Sequence, residues 1–102
     1  MRLGIDLGGS KIEIIALAND GRQLLRRRVA TPQGDYQATV ASIARLVEGV
    51  ESELAQSGSV GIGIPGAESL SSGLIKNANS TCLIGQPLRH DLQMLLQREV
   101  RL

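Results

Sequence analysis

The sequence predicts an α/β layer structure built on a mixed sheet. Three observations carry this expectation: three strand-like runs in the first thirty residues, a long amphipathic helical pattern after them, and a short buried strand beyond the helix.

Arg2 to Leu7 alternates, with Leu3, Ile5 and Leu7 on one side, and reads as the first strand. After Gly8-Gly9-Ser10, the Ile-rich run from Lys11 to Ala18 reads as the second. Asn19-Asp20-Gly21 is a turn signal, and Gln23 to Ala30 follows as the third strand, completing an antiparallel meander. Thr31-Pro32-Gln33-Gly34 interrupts the pattern. From Asp35 onward Tyr36, Val40, Ile43, Val47, Val50 and Leu54 recur at spacings of four and three, which predicts a helix with Asp35 near its N-terminus and Gly58 just after its end. Ser59 to Ile64 is a short buried strand stopped by Pro65-Gly66. Ala67 to Pro87 has little periodicity and reads mostly as loop, with a short strand around Leu74 to Lys76. Leu88 to Gln97 is the last helix, with Leu88, Leu92, Leu95 and Leu96 as its apolar positions, and Arg98 to Leu102 heads toward another strand. No linker, repeat or low-complexity tract divides the 102 residues.

Composition narrows the functional classes. Eleven Lys and Arg against ten Asp and Glu leave a net charge of +1, so the field of the whole chain attracts neither nucleic acid nor a membrane surface. Arg26-Arg27-Arg28 is the one basic run. With no Trp, no Phe and a single Tyr36, it lacks the aromatic platform of single-strand binders and reads as a solvated strand face. The single cysteine, Cys82, excludes an internal disulfide and a Cys-rich zinc site and fits a reducing compartment. No basic or histidine partner near it in sequence would activate it as a nucleophile. His90, the only histidine, reads as a surface residue. No apolar stretch approaches the roughly 20 residues of a membrane span, and no signal peptide precedes the first strand, so a cytoplasmic protein is expected.

Two glycine-rich stretches compete for attention. Gly61-Ile62-Gly63-Ile64-Pro65-Gly66 matches the G-x-G-x-x-G spacing of dinucleotide sites, but its first two glycines fall inside a strand and Gln86 stands where the ribose-binding acid would be. Glycines two apart on a strand face instead admit a close neighbour. Leu7-Gly8-Gly9-Ser10-Lys11 lacks the spacing of a P-loop and enters a strand, not a helix. A tight turn of this composition can still aim backbone N–H groups at anionic oxygens, with Ser10 and Lys11 adding a hydroxyl and a cation, and Asp6 close enough to hold a hydrated Mg²⁺. The alternative is an ordinary hairpin turn.

Ile5-Asp6-Leu7-Gly8-Gly9-Ser10-Lys11 resembles the first phosphate motif of sugar kinases with the actin-like ATPase (ribonuclease H-like) fold, particularly the bacterial ROK family of kinases and repressors. Gly61 to Gly66 is similar to that family's sugar-side motif, and Asn77-Ala78-Asn79-Ser80-Thr81-Cys82 stands in place of its asparagine loop. Within the family, "GIPG", "KNANST", "GQPL" and "QREVRL" are most similar to bacterial fructokinases (manno-fructokinases), with N-acetylglucosamine kinases next. The resemblance implies that residues 1–102 are the N-terminal lobe of a kinase that phosphorylates a hexose, fructose first, with ATP.

By the same resemblance Gly8, Gly9, Ser10 and Lys11 would line the phosphates, with Gly4, Ile5, Asp6 and Leu7 as the strand leading in and Asp6 facing Mg²⁺ through water. Pro65 and Gly66 would present backbone to the sugar, and Asn79 would hydrogen-bond a sugar hydroxyl. Ser10 replaces a commoner threonine, and Cys82 a commoner tryptophan. The catalytic aspartate is expected just beyond Leu102, leaving no catalytic residue in this chain and no activity for it alone. A zinc site and the adenine pocket would belong to a C-terminal lobe. Hexose and ATP are the implied partners, and a homodimer of the intact protein is compatible with the resemblance. The family's repressors carry a helix-turn-helix ahead of the phosphate motif, for which these residues leave no room; a sugar-responsive regulator is the alternative reading.

Overall fold

The computed structural model describes residues 1–64, 67–69, 71–76 and 83–102. Three strands, β1 (Arg2–Leu7), β2 (Lys11–Leu17) and β3 (Gln23–Ala30), form the expected antiparallel meander. Helix α1 (Tyr36–Leu54) then carries the chain back across the sheet to β4 (Ser59–Gly63), which pairs parallel to β1. A two-strand ribbon, β5 (Ala67–Glu68) and β6 (Ile75–Lys76), precedes α2 (Leu88–Leu96), and β7 (Val100–Arg101) lies parallel to β4. The main sheet has the order β3-β2-β1-β4-β7. Among the described residues no helix is long and apolar enough to cross a membrane.

Alternation decides which face is covered. Leu3, Ile5 and Leu7 of β1, Ile12, Ile14 and Ala16 of β2, and Val60 and Ile62 of β4 are buried with the apolar stripes of both helices. Burial of such side chains is worth about 1.5–3 kcal/mol each, which holds the helices on this one face. The opposite face presents Arg2, Gly4 and Asp6 from β1 and Lys11, Glu13, Ile15 and Leu17 from β2, all exposed or half-buried.

Local chemistry fixes the connections. In the β2–β3 turn Gly21 adopts φ 88°, donates to Ala18 O at 2.9 Å, and Asp20 Oδ1 accepts from Arg22 N–H at 2.9 Å. Asp35 caps α1, its Oδ1 accepting from Ala38 N–H at 2.9 Å. The far end of α1 departs from the sequence expectation. Ala55, not a glycine, takes the left-handed C-cap at φ 52°, while Gly58 serves packing: a Cβ there would lie 3.0 Å from Met1 O and 3.2 Å from Leu3 Cγ. Gly58 therefore lets β4 enter beside β1.

Five smaller expectations are also corrected. Residues 67–68, expected as loop, form β5 because Ala67 and Glu68 find partners in Lys76 and Ile75, a pairing local periodicity does not show. The strand expected to reach Ile64 ends at Gly63, and α2 ends at Leu96 with Gln97 as a left-handed cap. Leu95 is exposed: Leu88, Leu92 and Leu96, four apart, make a stripe that slants around the helix and leaves Leu95 at its outer margin. Arg26 and Arg27 do not form one basic face. Arg26 Nε lies 3.1 Å from Glu13 Oε1 on one side of the sheet, and Arg27 pairs with Glu53 of α1 on the other.

The elements are clamped at both ends of the helix layer. Tyr36 Oη donates to Asp91 Oδ2 at 2.6 Å, joining the starts of α1 and α2; burial, then this carboxylate, push the phenol well above its ordinary pKa. At the other end Glu51 accepts from Arg98 Nη2 and from Gly58 N–H, both at 2.8 Å, while Arg98 Nη1 donates to Gly58 O at 3.0 Å. The hydrogen-bonded Arg98 guanidinium holds the Glu51 carboxyl below the usual carboxylate range despite its burial.

Candidate functional site

The β1–β2 turn is shaped by one hydrogen bond and one steric limit. Gly8 N–H donates to Lys11 O at 2.9 Å, and a Cβ on Gly8 would stand 3.0 Å from that same oxygen. Glycine is required by this close approach of backbone to backbone, not by a positive φ.

The segment after β3 pulls the turn's carbonyls to one side. Thr31, buried at the end of the meander, donates from Oγ1 to Gly8 O at 2.9 Å and from its N–H to Ser10 O at 2.9 Å. Gln33 Nε2 donates to Gly9 O. All three turn carbonyls are thus occupied. Among the described residues, the N–H groups of Gly9 and Ser10 donate to no protein acceptor, and both residues are exposed. Two successive backbone donors without a protein acceptor, in an exposed turn whose carbonyls are already occupied, are available to anionic oxygens.

Strand alternation adds the charged groups. Asp6 and Lys11 sit at the two strand ends that flank the turn, both exposed and both on the sheet face opposite the helices. Glu13, not singled out from the sequence, is the register partner of Asp6 on that face and is held by Arg26. Its place two residues after Lys11 on an alternating strand was the available signal. Among the described residues no three His, Cys, Asp or Glu side chains gather as a metal site.

The remaining expected positions divide. Ile5 and Leu7 bury their side chains under the helices, so only their backbone can meet a ligand. Gly4 lies mid-sheet between Ile15 and Gly61, away from the turn. Pro65, Gly66, Asn79 and Cys82 fall outside the described residues. Around them, Glu68 takes Arg89 Nε on both carboxylate oxygens at 3.0 Å, tying β5 to α2. Ile75 N–H donates to Gln86 O at 3.0 Å and Gly85 N–H to Ile75 O at 2.8 Å, joining β6 to the stretch ahead of α2. His90 is exposed in the first turn of α2, as expected.

A family model described as "ROK family" matches residues 2–102. This chain belongs to the ROK family. Curated relatives include the N-acetyl-D-glucosamine kinase of Yersinia pestis, 39% identical over 102 residues, which are all of this chain and 40% of that protein. The chain therefore spans about two fifths of that relative's length. The ROK hexokinase of Thermus thermophilus superposes with a TM-score of 0.82 at 29% identity over 97% of this chain and 33% of its own. A ROK family glucokinase from Streptomyces griseus, solved with glucose and AMPPNP, gives 0.84 at 24% identity over 99% of this chain and 32% of its own, a likeness of fold. The sheet and helices thus have the actin-like ATPase fold of ROK sugar kinases. The curated relative's name shifts the emphasis: fructokinase stood first in the motif reading, whereas this relative is an N-acetylglucosamine kinase.

Proposed function

We propose that residues 1–102 form the N-terminal lobe of an ATP-dependent hexose kinase and supply its phosphate-binding turn and one wall of its sugar site. The observation that carries this reading is the exposed Gly8–Lys11 turn, where Thr31 and Gln33 occupy the carbonyls and the Gly9 and Ser10 N–H groups have no protein acceptor, between the strand ends that carry Asp6 and Lys11. In the reaction, a sugar hydroxyl oxygen bonds to the γ-phosphorus of ATP as the bond to the β-phosphate oxygen breaks, ADP leaves, and the hydroxyl proton passes to a base outside residues 1–102. The turn's donors and Lys11 would hold the phosphate oxygens in place. Asp6, an exposed carboxylate beside the turn, suits a hydrated Mg²⁺, which neutralises phosphate charge when bound; water and phosphate oxygens would fill the rest of its shell.

Pro65 and Gly66 would offer backbone to the sugar, and Asn79 an amide that both donates and accepts, as a hydroxyl does. N-acetylglucosamine is the first sugar to try, since a relative covering the whole chain is named for it, and fructose is the second. The test is a chimera joining residues 1–102 to the rest of the Yersinia pestis kinase, assayed for ADP release with N-acetylglucosamine, fructose, glucose and mannose. Sugar-dependent release that Asp6→Asn lowers at least tenfold supports the reading. Release without any sugar dependence, or undiminished by Asp6→Asn, refutes it.

A further inference from the structure

Strands β4 and β7 run parallel, and the loops that lead into them are held by one ion pair. Glu51, near the end of α1, accepts from Arg98 Nη2 and from Gly58 N–H, both at 2.8 Å, and Arg98 Nη1 donates to Gly58 O at 3.0 Å. Gly58 is the residue before β4, and Arg98 lies two residues before β7. The pair therefore fixes the starts of the two strands against each other. Gln93 of α2 adds one contact, its Oε1 accepting from Val100 N–H at 3.2 Å.

The ladder itself fixes little. β7 meets β4 through two register pairs, Val60 with Val100 and Gly61 with Arg101, and among the described residues no strand flanks its other edge. So short a pairing resists slippage weakly, and a slip of one residue would turn every following side chain to the opposite face. Where the register leads gives it weight. Continued past Arg101, it sets Leu102 level with Ile62 and the next residue level with Gly63, the partner of Asp6. Buried Val100 points to the helices and exposed Arg101 away from them, so alternation puts that next residue on the face that carries Asp6. β7 thus delivers the chain that follows it to the side of the proposed phosphate site.

We infer that Glu51 and Arg98 are positioning residues for the kinase reaction: by holding β7 in register they aim the groups that follow Leu102 at the reacting hydroxyl and phosphate. The inference rests on the proposed reading that residues 1–102 are one lobe of a hexose kinase whose base lies outside them. Both side chains sit at the Arg2–Ser59 end of the sheet, remote from the Gly8–Lys11 turn, so their effect on the reaction passes through β7. A displacement of about 1 Å at reacting groups costs on the order of a hundredfold in rate.

The test uses the chimera of residues 1–102 with the rest of the Yersinia pestis kinase, in steady-state kinetics below its thermal midpoint. Arg98→Met removes the bonds to Glu51 and to Gly58 O and is expected to lower kcat roughly tenfold or more, with KM for MgATP and for sugar within about twofold of wild type. Arg98→Lys keeps the charge without the planar fork, and Glu51→Gln keeps one acceptor, so both should fall between. Tyr36→Phe loosens the other end of the helix layer and is the stability control: it should lower the thermal midpoint and leave kcat unchanged. In the isolated chain, Arg98→Met should speed amide exchange at Val100 and Arg101 while the Gly8–Lys11 turn keeps its response to MgATP. Unchanged kcat in Arg98→Met, a loss carried by KM, or an equal fall of kcat in Tyr36→Phe would overturn the inference and leave the kinase reading standing. A wild-type chimera without sugar-dependent ADP release would overturn both. Should Arg98→Met fail to fold, Arg98→Lys and Glu51→Gln carry the same test, and unchanged kcat in both would overturn the inference.

Discussion

Replacing Glu51 by Gln should cost this chain about 2 kcal/mol at neutral pH. The carboxylate receives the Arg98 guanidinium and the Gly58 N–H, and its side chain is 12% exposed against 29% for Arg98. A hydrogen bond to a charged group contributes about 1.5–3 kcal/mol, and loss of one partner from a fully buried pair costs about 3–5. Arg98 can rehydrate through its exposed fraction and the glutamine oxygen can keep one bond, which brings the total to about 2 kcal/mol. For a domain of this size that is roughly 8–15 °C in Tm. The effect has a pH signature. Glu51 has a lower pKa folded than unfolded, so its contribution is fully present above the unfolded value of about 4.3 and is lost as pH falls through that value toward the folded one. Urea titrations of both proteins from pH 7 to pH 3.5 should show a constant gap down to about pH 5 and a narrowing gap below it. A gap under about 0.5 kcal/mol at pH 7, or one indifferent to pH, would refute the assignment of the Glu51–Arg98–Gly58 clamp.

Other changes test the turn and the helix layer. Gly8→Ala forces a Cβ to 3.0 Å from a backbone carbonyl and should destabilise by about 1–3 kcal/mol, read by thermal melting, and lower phosphate-ligand affinity in NMR titration. Thr31→Val keeps the shape but leaves Gly8 O without its donor; about 1–2 kcal/mol should be lost in urea titration, with sharper amide exchange at Gly9 and Ser10. Tyr36→Phe removes the Oη bond to Asp91 and should cost about 1–2 kcal/mol in urea, with the difference shrinking when Asp91 is also changed to Asn.

The legible parts of the fold are those set by neighbours in sequence. Alternation through Leu3, Ile5 and Leu7, the Asn19-Asp20-Gly21 turn and the Asp35 cap each depend on a few consecutive residues, and each is where the pattern puts it. What sequence could not show depends on distant partners. The pairing of β5 with β6, the split of Arg26 and Arg27 between two glutamates, and the use of Gly58 beside Met1 instead of at a helix cap all arise from tertiary placement. The site divides in the same way. Gly8 to Lys11 and Asp6 stood out as a motif, but Thr31 and Gln33, which orient the turn, lie more than twenty residues on in an unremarkable Thr-Pro-Gln-Gly break. Glu13 emerges only once the register sets it opposite Asp6.

The central claim is that the Gly8–Lys11 turn binds the phosphates of ATP. Its most direct test is an amide NMR titration of the ¹⁵N-labelled chain with MgATP. The account predicts saturable shifts centred on Gly9 and Ser10, abolished by Gly8→Ala and reproduced by MgADP but not by adenosine. Shifts centred elsewhere, or shifts equally large with adenosine, would contradict it.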